Sequence, residues 1–186
     1  MHTRLIVGLT IGTGCLASGS PFQNLDFEGA RIKAVQNSSG RPLTSDAFPG
    51  WSVILADQPA TRVLYNNMAL SSASATLWDR EASVSYPFQG RFYAQINTGV
   101  LDMTNPEERH GFSRLYQSGE IPSSARSILF TAAVGSPSNL EVQLDGTPLH
   151  LVAIESDPLQ TRFGADISGW AGRSAELAFT IFPNSP

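Results

Sequence analysis

The sequence predicts an all-β fold, a two-sheet antiparallel jelly-roll β-sandwich, on the basis of three observations. Short segments of strictly alternating apolar and polar residues recur, mainly after residue 90. No segment keeps a helical period of 3.6 residues. Sixteen Gly and twelve Pro supply frequent turns, and only 15% of the 186 residues are charged. A chain of this length, 41% hydrophobic, can form one sandwich with a substantial core.

The predicted strands of the first half are less regular than those of the second half. The first group comprises residues 31–35, 51–55, 61–65 and 74–79. The second group alternates more strictly and comprises residues 91–97, 125–134, 140–146, 148–154 and 175–182. Between the third and fourth strands of the second group, Gly146 and Thr147 are predicted to form a hairpin turn. About ten short strands at this spacing are typical of a sandwich or jelly roll.

Residues 1–19 have the pattern of a signal peptide for export. Arg4 supplies a positive start, residues 5–11 form a short apolar run, and Ala17 and Gly19 are small enough for cleavage. The run is too short to span a bilayer as a helix. A buried N-terminal strand is the alternative interpretation. The expectation is an exported protein, extracellular or in the cell envelope, whose single domain covers residues 20–186.

Cys15 is the only cysteine, and it lies inside this predicted leader. In "GTGCLAS" it is a candidate site for a lipid anchor, although Gly12 stands where lipid-attachment motifs favour Leu. Cleavage in this region leaves no cysteine pair in the domain, so its stability must come from the core rather than from disulfides.

Charge and motif content argue against several functional classes. The net charge is −4 and no Lys/Arg run occurs, which disfavours nucleic acids and anionic membranes as partners. None of the nucleophile-elbow, zinc-protease or phosphate-loop motifs is present. His110 lies close to Glu107 and Glu108, which could form an acid/base pair, but solvated charges in a polar loop are the favoured interpretation. We therefore expect a protein that is not an enzyme.

Two segments near the start carry a family resemblance. "NLDFEGA" followed by "FPGWSV" resembles the opening of galactose-binding-like jelly-roll domains, the fold of many carbohydrate-binding modules. Later segments are similar to secreted bacterial jelly-roll proteins of the PEP-CTERM type, many of them uncharacterised, and lie at 86–96, 115–130, 140–152 and 162–181. The resemblance covers residues 22–182.

The chain departs from these relatives at its C-terminal end. It has no apolar anchoring helix with a basic end, and it stops at "FTIFPNSP". Relatives continue into a further strand with a Leu-Asp-Asp motif, so the domain is expected to lack its last strand or to close without it. In relatives this strand and the opening strand hold a structural calcium ion. The resemblance therefore implies Glu28 as a calcium ligand, assisted by Asp26.

Aromatic residues are the candidates for ligand binding, because their faces suit the apolar faces of sugar rings. Trp51 is expected in the core, and Trp170 at one end of the barrel. Trp78, at a strand end, is the best exposed candidate. The other candidates, on the polar face of the strand at 91–97, are Tyr93, Gln95 and Asn97. An ordinary solvated sheet face also explains these three residues and is the favoured interpretation.

The function expected from these observations is that of a secreted, monomeric, non-catalytic domain that binds a carbohydrate or another extracellular polymer. A structural or adhesive envelope protein without a sugar site is the alternative, and a hydrolase is a third hypothesis.

Overall fold

The structure is a computed structural model, and it describes residues 4–10, 20–32, 41–69, 72–81, 88, 90–99, 111–133 and 139–183. Its elements, in chain order, are β1 Arg4–Thr10, α1 Thr44–Ala47, β2 Ser52–Leu55, β3 Gln58–Pro59, β4 Leu64–Tyr65, β5 Ser72–Asp79, β6 Phe92–Gly99, β7 Ser113–Glu120, β8 Ser127–Ala132, β9 Leu140–Leu144, β10 Thr147–Pro148, β11 Val152–Ser156, β12 Thr161–Asp166, a 3-10 helix Ser168–Trp170, and β13 Ser174–Ile181.

The strands form two packed sheets. Sheet A has the order β11-β12-β8-β1-β6-β5-β4, and sheet B has the order β10-β9-β13-β7-β2-β3. The pairs are antiparallel except for the two-residue β4, which runs parallel to β5. From β6 to β9 the chain passes from one sheet to the other at each step. The predicted all-β jelly-roll sandwich is therefore confirmed.

The core lies between the sheets, and period-two alternation supplies it. Phe92, Ala94 and Ile96 of β6 face it from sheet A. Sheet B contributes Leu177, Phe179 and Ile181 of β13, all 1% exposed or less. The rings of Phe130 and Phe179 meet across the sheets, edge to face, with centroids 5.2 Å apart.

The opening loop packs onto the "FPGW" segment. Phe27 is fully buried, and its ring lies 5.9 Å from that of Phe48 and 5.6 Å from that of Trp51. The indole Nε1 of Trp51 donates a 3.0 Å hydrogen bond to the carbonyl oxygen of Asn24. Trp51 is thus a core residue, as predicted. The two segments that carry the family resemblance form one packed unit.

One predicted strand is split between the two sheets. Residues 148–154 were expected to continue as a single strand, but Pro148 ends β10 in sheet B and Val152 starts β11 in sheet A.

The hairpin turn between β9 and β10 lies one residue earlier than predicted. Asp145 and Gly146, with φ of 47° and 73°, occupy its centre, whereas Gly146 and Thr147 were predicted there. Both central residues need positive φ in this turn type, which Asp-Gly supplies.

Other differences concern strands that the alternation did not reveal. β7 and β12 were not predicted, although both pair with strands that were. Of the strand predicted at 61–65, only Leu64–Tyr65 pairs with β5. In the strand predicted at 31–35, residues 33–35 lie outside the described residues, as do Cys15 and His110.

The N-terminal strand occupies an unexpected place. β1 comes from the predicted leader, and it pairs with β6 on one side and β8 on the other. It therefore lies in the interior of sheet A rather than at an edge.

The opening loop provides a test of this packing. Phe27→Ala removes a fully buried ring, so we expect a loss of about 3–5 kcal/mol in the free energy of unfolding by urea. Phe182→Ala, at a ring that is 42% exposed, is the matched control and should change it by less than about 1 kcal/mol. Equal losses in the two variants would contradict the packing described here.

Candidate functional site

The candidate ligand residues are brought together on the outer face of sheet A, and we call them the outer row: Trp78, Tyr93, Gln95 and Asn97. Trp78 of β5 stands directly opposite Tyr93 of β6 in the register. Tyr93, Gln95 and Asn97 alternate with the core residues of β6, so they share the opposite face. The sequence placed these three correctly on one face.

The aromatic end of the outer row has a defined geometry. The indole of Trp78 is partly buried and stacks on Tyr93, with ring centroids 6.3 Å apart and planes 17° apart. Its Nε1 donates a 2.8 Å hydrogen bond to Oε1 of Gln95. Phe88 packs against the same Tyr93 ring at 5.4 Å. Trp78 is therefore held both by stacking and by a polar contact.

A segment laid over β5 and β6 covers the polar end of the row. The carbonyl oxygen of Asn67 accepts from Thr76 Oγ1 at 2.9 Å, and that of Ala69 accepts from Asn97 Nδ2 at 3.3 Å. Met68 Sδ lies 4.0 Å from Gln95 Nε2. Residues 67–69 thus act as a cover.

The cover changes what was expected of this face. Tyr93 and Asn97 are each 2% exposed and Gln95 is 4% exposed, so they line neither a solvated surface nor an open groove. Trp78 is the member of the outer row that reaches solvent in part.

A buried carboxylate lies beside the outer row. Asp79 is 1% exposed and ends β5. Arg91 donates to it from Nε at 3.0 Å and from Nη2 at 2.8 Å, and the Tyr65 hydroxyl donates at 2.8 Å. The backbone N–H of Glu81 donates to it as well, at 3.0 Å. This cluster was not predicted from the sequence, where its only signal is an acid at one strand end and a base at the start of the next strand.

The hydrogen bonds shift the ionisation of both acidic groups in the cluster. Those from Arg91 hold the pKa of Asp79 below its ordinary value of 3.8, against the opposing effect of burial. Burial, together with the neighbouring Asp79 carboxylate, raises the pKa of Tyr65 above 10.0. At neutral pH the cluster is therefore an ionised carboxylate paired with a guanidinium and a neutral phenol.

Glu28, the predicted calcium ligand, contacts the start of β6. Its Oε1 accepts the backbone N–H groups of Arg91 at 2.7 Å and Phe92 at 2.9 Å. Gly90 has a φ of 83°, and a Cβ there would collide with the same oxygen. The sequence of this turn therefore leaves room for the carboxylate. Glu28 therefore joins the opening loop to β6 through these two backbone hydrogen bonds.

Among the described residues, no third acidic side chain joins Glu28 and Asp26. The second predicted ligand, Asp26, accepts the N–H of Glu28 at 3.2 Å through Oδ1. Calcium takes six to eight oxygens, yet no group of three or more His, Cys, Asp or Glu forms within the described part of the chain. Calcium at this edge remains a prediction of the resemblance, and we derive no chemistry through it.

Comparisons with known proteins found no matching family model, no matching curated protein and no matching solved structure.

Across the ranges that the structure describes, no helix is long and apolar enough to cross a membrane. Of the histidines, His150 is exposed.

Variants of Glu28 separate its hydrogen bonds from a metal site. Glu28→Ala should lower the free energy of unfolding by about 1–2 kcal/mol, because two N–H groups lose their acceptor. Glu28→Gln keeps an acceptor oxygen and should recover at least half of that loss. Thermal melts of the three proteins, with and without added calcium, measure this. A calcium-dependent rise in Tm that Glu28→Gln abolishes would instead establish the calcium site.

The Asp79 cluster predicts an acid-dependent stability. Since the folded pKa of Asp79 lies below the unfolded one, its stabilisation is complete above the unfolded value and is lost as pH falls through the folded value. Asp79→Asn should lose about 2 kcal/mol at pH 7 and show a flatter decline below pH 4. Urea unfolding between pH 2.5 and 7 measures both effects. Asp57→Asn, on an exposed turn, is the control, and identical pH profiles for the two variants would contradict the cluster's role.

Proposed function

We propose that this protein is an exported, non-catalytic binding domain whose ligand is a carbohydrate or another extracellular polymer. The observation that carries the proposal is the partly exposed indole of Trp78, fixed by Tyr93 and Gln95. A sugar ring stacks on such an aromatic face, and polar groups beside the ring orient the hydroxyls.

Rigidity supports this assignment of Trp78. A side chain already held in its bound orientation loses little conformational entropy when a ligand arrives. Stacking at 17° and a 2.8 Å hydrogen bond supply that restraint before any ligand is present. Trp78 also directly precedes Asp79 in β5, and the Asp79–Arg91 ion pair fixes the strand end that carries the indole.

Weak polar contacts next to the indole give the ligand a second point of attachment. Gln95 Nε2 has the Met68 thioether at 4.0 Å as a neighbour, and a thioether is a poor acceptor. A ligand hydroxyl is a better acceptor for this amide. Shifting the cover, residues 67–69, gives the hydroxyl access to Gln95, at the cost of the Asn97 contact with the Ala69 carbonyl.

A structural or adhesive envelope protein is the second candidate, and burial favours it. Tyr93, Gln95 and Asn97 are closed off from solvent and pack as a layer between the sheet and its cover. In that case the outer row only stabilises sheet A, and partners contact other surfaces.

Export, a monomeric state and a lipid anchor at Cys15 belong to the same proposal. They rest on the leader pattern of residues 1–19 and on the resemblance of residues 22–182.

Ligand binding through Trp78 can be tested on a glycan array and in polysaccharide pull-downs. Trp78→Ala should weaken binding at least about tenfold, because the stacking surface is removed. Tyr116→Ala is the matched control: it removes a partly buried ring from the outer face of sheet B and should leave binding unchanged. Binding to no glycan, or equal effects of both variants, would favour the structural role. Turnover of a bound glycan that His110→Ala abolishes would overturn both non-catalytic functions.

A further inference from the structure

Among the strands that the structure describes, β1 is the one that joins the two halves of sheet A. It pairs antiparallel with β6, where Leu5 is opposite Ile96 and Val7 is opposite Ala94. It also pairs antiparallel with β8, where Val7 is opposite Ala132 and Leu9 is opposite Phe130. The four named partners on β6 and β8 are all core residues.

Removing β1 would divide sheet A into two three-stranded pieces. One piece would be β11-β12-β8 and the other β6-β5-β4. The N–H and C=O groups of β6 and β8 that face the gap would lose their partners, and two long interior edges would be exposed. Such edges pair readily with any extended chain that fits between them.

The same residues belong to the segment that the sequence predicts to be removed on export. Cleavage near residue 19 takes away the whole of β1, and all the other strands that the structure describes follow residue 20. Each cleaved molecule would therefore carry an open cleft between β6 and β8.

We propose that the cleft between β6 and β8 is an acceptor site for an extended strand, which another polypeptide supplies once the leader has been removed. The inference rests on the export that is part of the proposed function. It adds a protein partner to the ligand that Trp78 would bind.

The register of β1 defines the sequence pattern that an incoming strand must have. The strand runs antiparallel to both neighbours and spans about six or seven residues. At its centre an aliphatic residue, here Val7, falls between two alanines, Ala94 and Ala132, while Gly8 falls opposite Thr131. Residues 5–10 carry no charge. The partner segment is therefore an uncharged strand with an aliphatic residue at every second position.

The first part of the test uses the full chain with a C-terminal tag, produced in a bacterial host and recovered after export. Its intact mass gives the N-terminus. We expect a chain that begins near residue 20, with fast hydrogen exchange of the backbone amides along one edge each of β6 and β8.

The second part adds a synthetic peptide of residues 3–11 to this exported protein. The peptide should raise Tm by at least about 3 °C at saturation and slow exchange within β6 and β8. The matched control is the same peptide with Val7→Pro, which loses a ladder N–H at the centre and should have no effect.

The outcomes separate the inference from the proposed function. A mass that includes residues 1–19 overturns both export and the acceptor site. A chain that begins near residue 20 but ignores the peptide overturns the acceptor site alone, and so does slow exchange in β6 and β8 before peptide is added, whether the protein is monomeric or self-associated. The Trp78→Ala experiment on glycans is independent of all these results.

Discussion

The ion pair between Asp79 and Arg91 is the interaction on which one end of the sandwich depends. A carboxylate that is 1% exposed is tolerated only if its oxygens are fully engaged, and Arg91, Tyr65 and a backbone N–H engage them. The backbone N–H of Arg91 is bound in turn by Glu28. A single pair therefore ties β4, β5, β6 and the opening loop to one another.

This arrangement decides what the outer row can do. Trp78 directly precedes Asp79, so the backbone that carries the indole is fixed by the ion pair on the core side and by stacking on Tyr93 on the outer side. A ring with so little freedom suits recognition of a flat apolar surface. The cover over Gln95 and Asn97 limits the same face, because a ligand that needs those amides must compete with residues 67–69.

Alternation in the sequence predicted the fold well wherever one face of a strand meets the core. β6, β8, β9 and β13 were found this way. Alternation did not reveal β7, because its buried positions include Ser113, Gln117 and Gly119, which are not apolar side chains. It also could not show that Tyr93, Gln95 and Asn97 of the outer row are buried. That burial depends on Asn67, Met68 and Ala69 folding back over the sheet, and an irregular segment carries no periodic signal.

The N-terminal segment shows a different limit of sequence interpretation. The export machinery recognises an uncharged aliphatic run as an apolar stretch. The same run can form a β-strand, because apolar side chains favour removal from water in both settings. Residues 5–10 meet both requirements, so composition alone does not distinguish a leader from a strand. Most of what the cleft between β6 and β8 demands is backbone pairing, which any extended chain provides. Side chains add the requirement for an uncharged strand with an aliphatic residue at every second position, the central one between Ala94 and Ala132. An acceptor defined mainly by backbone pairing would therefore take any extended strand that keeps this alternating pattern.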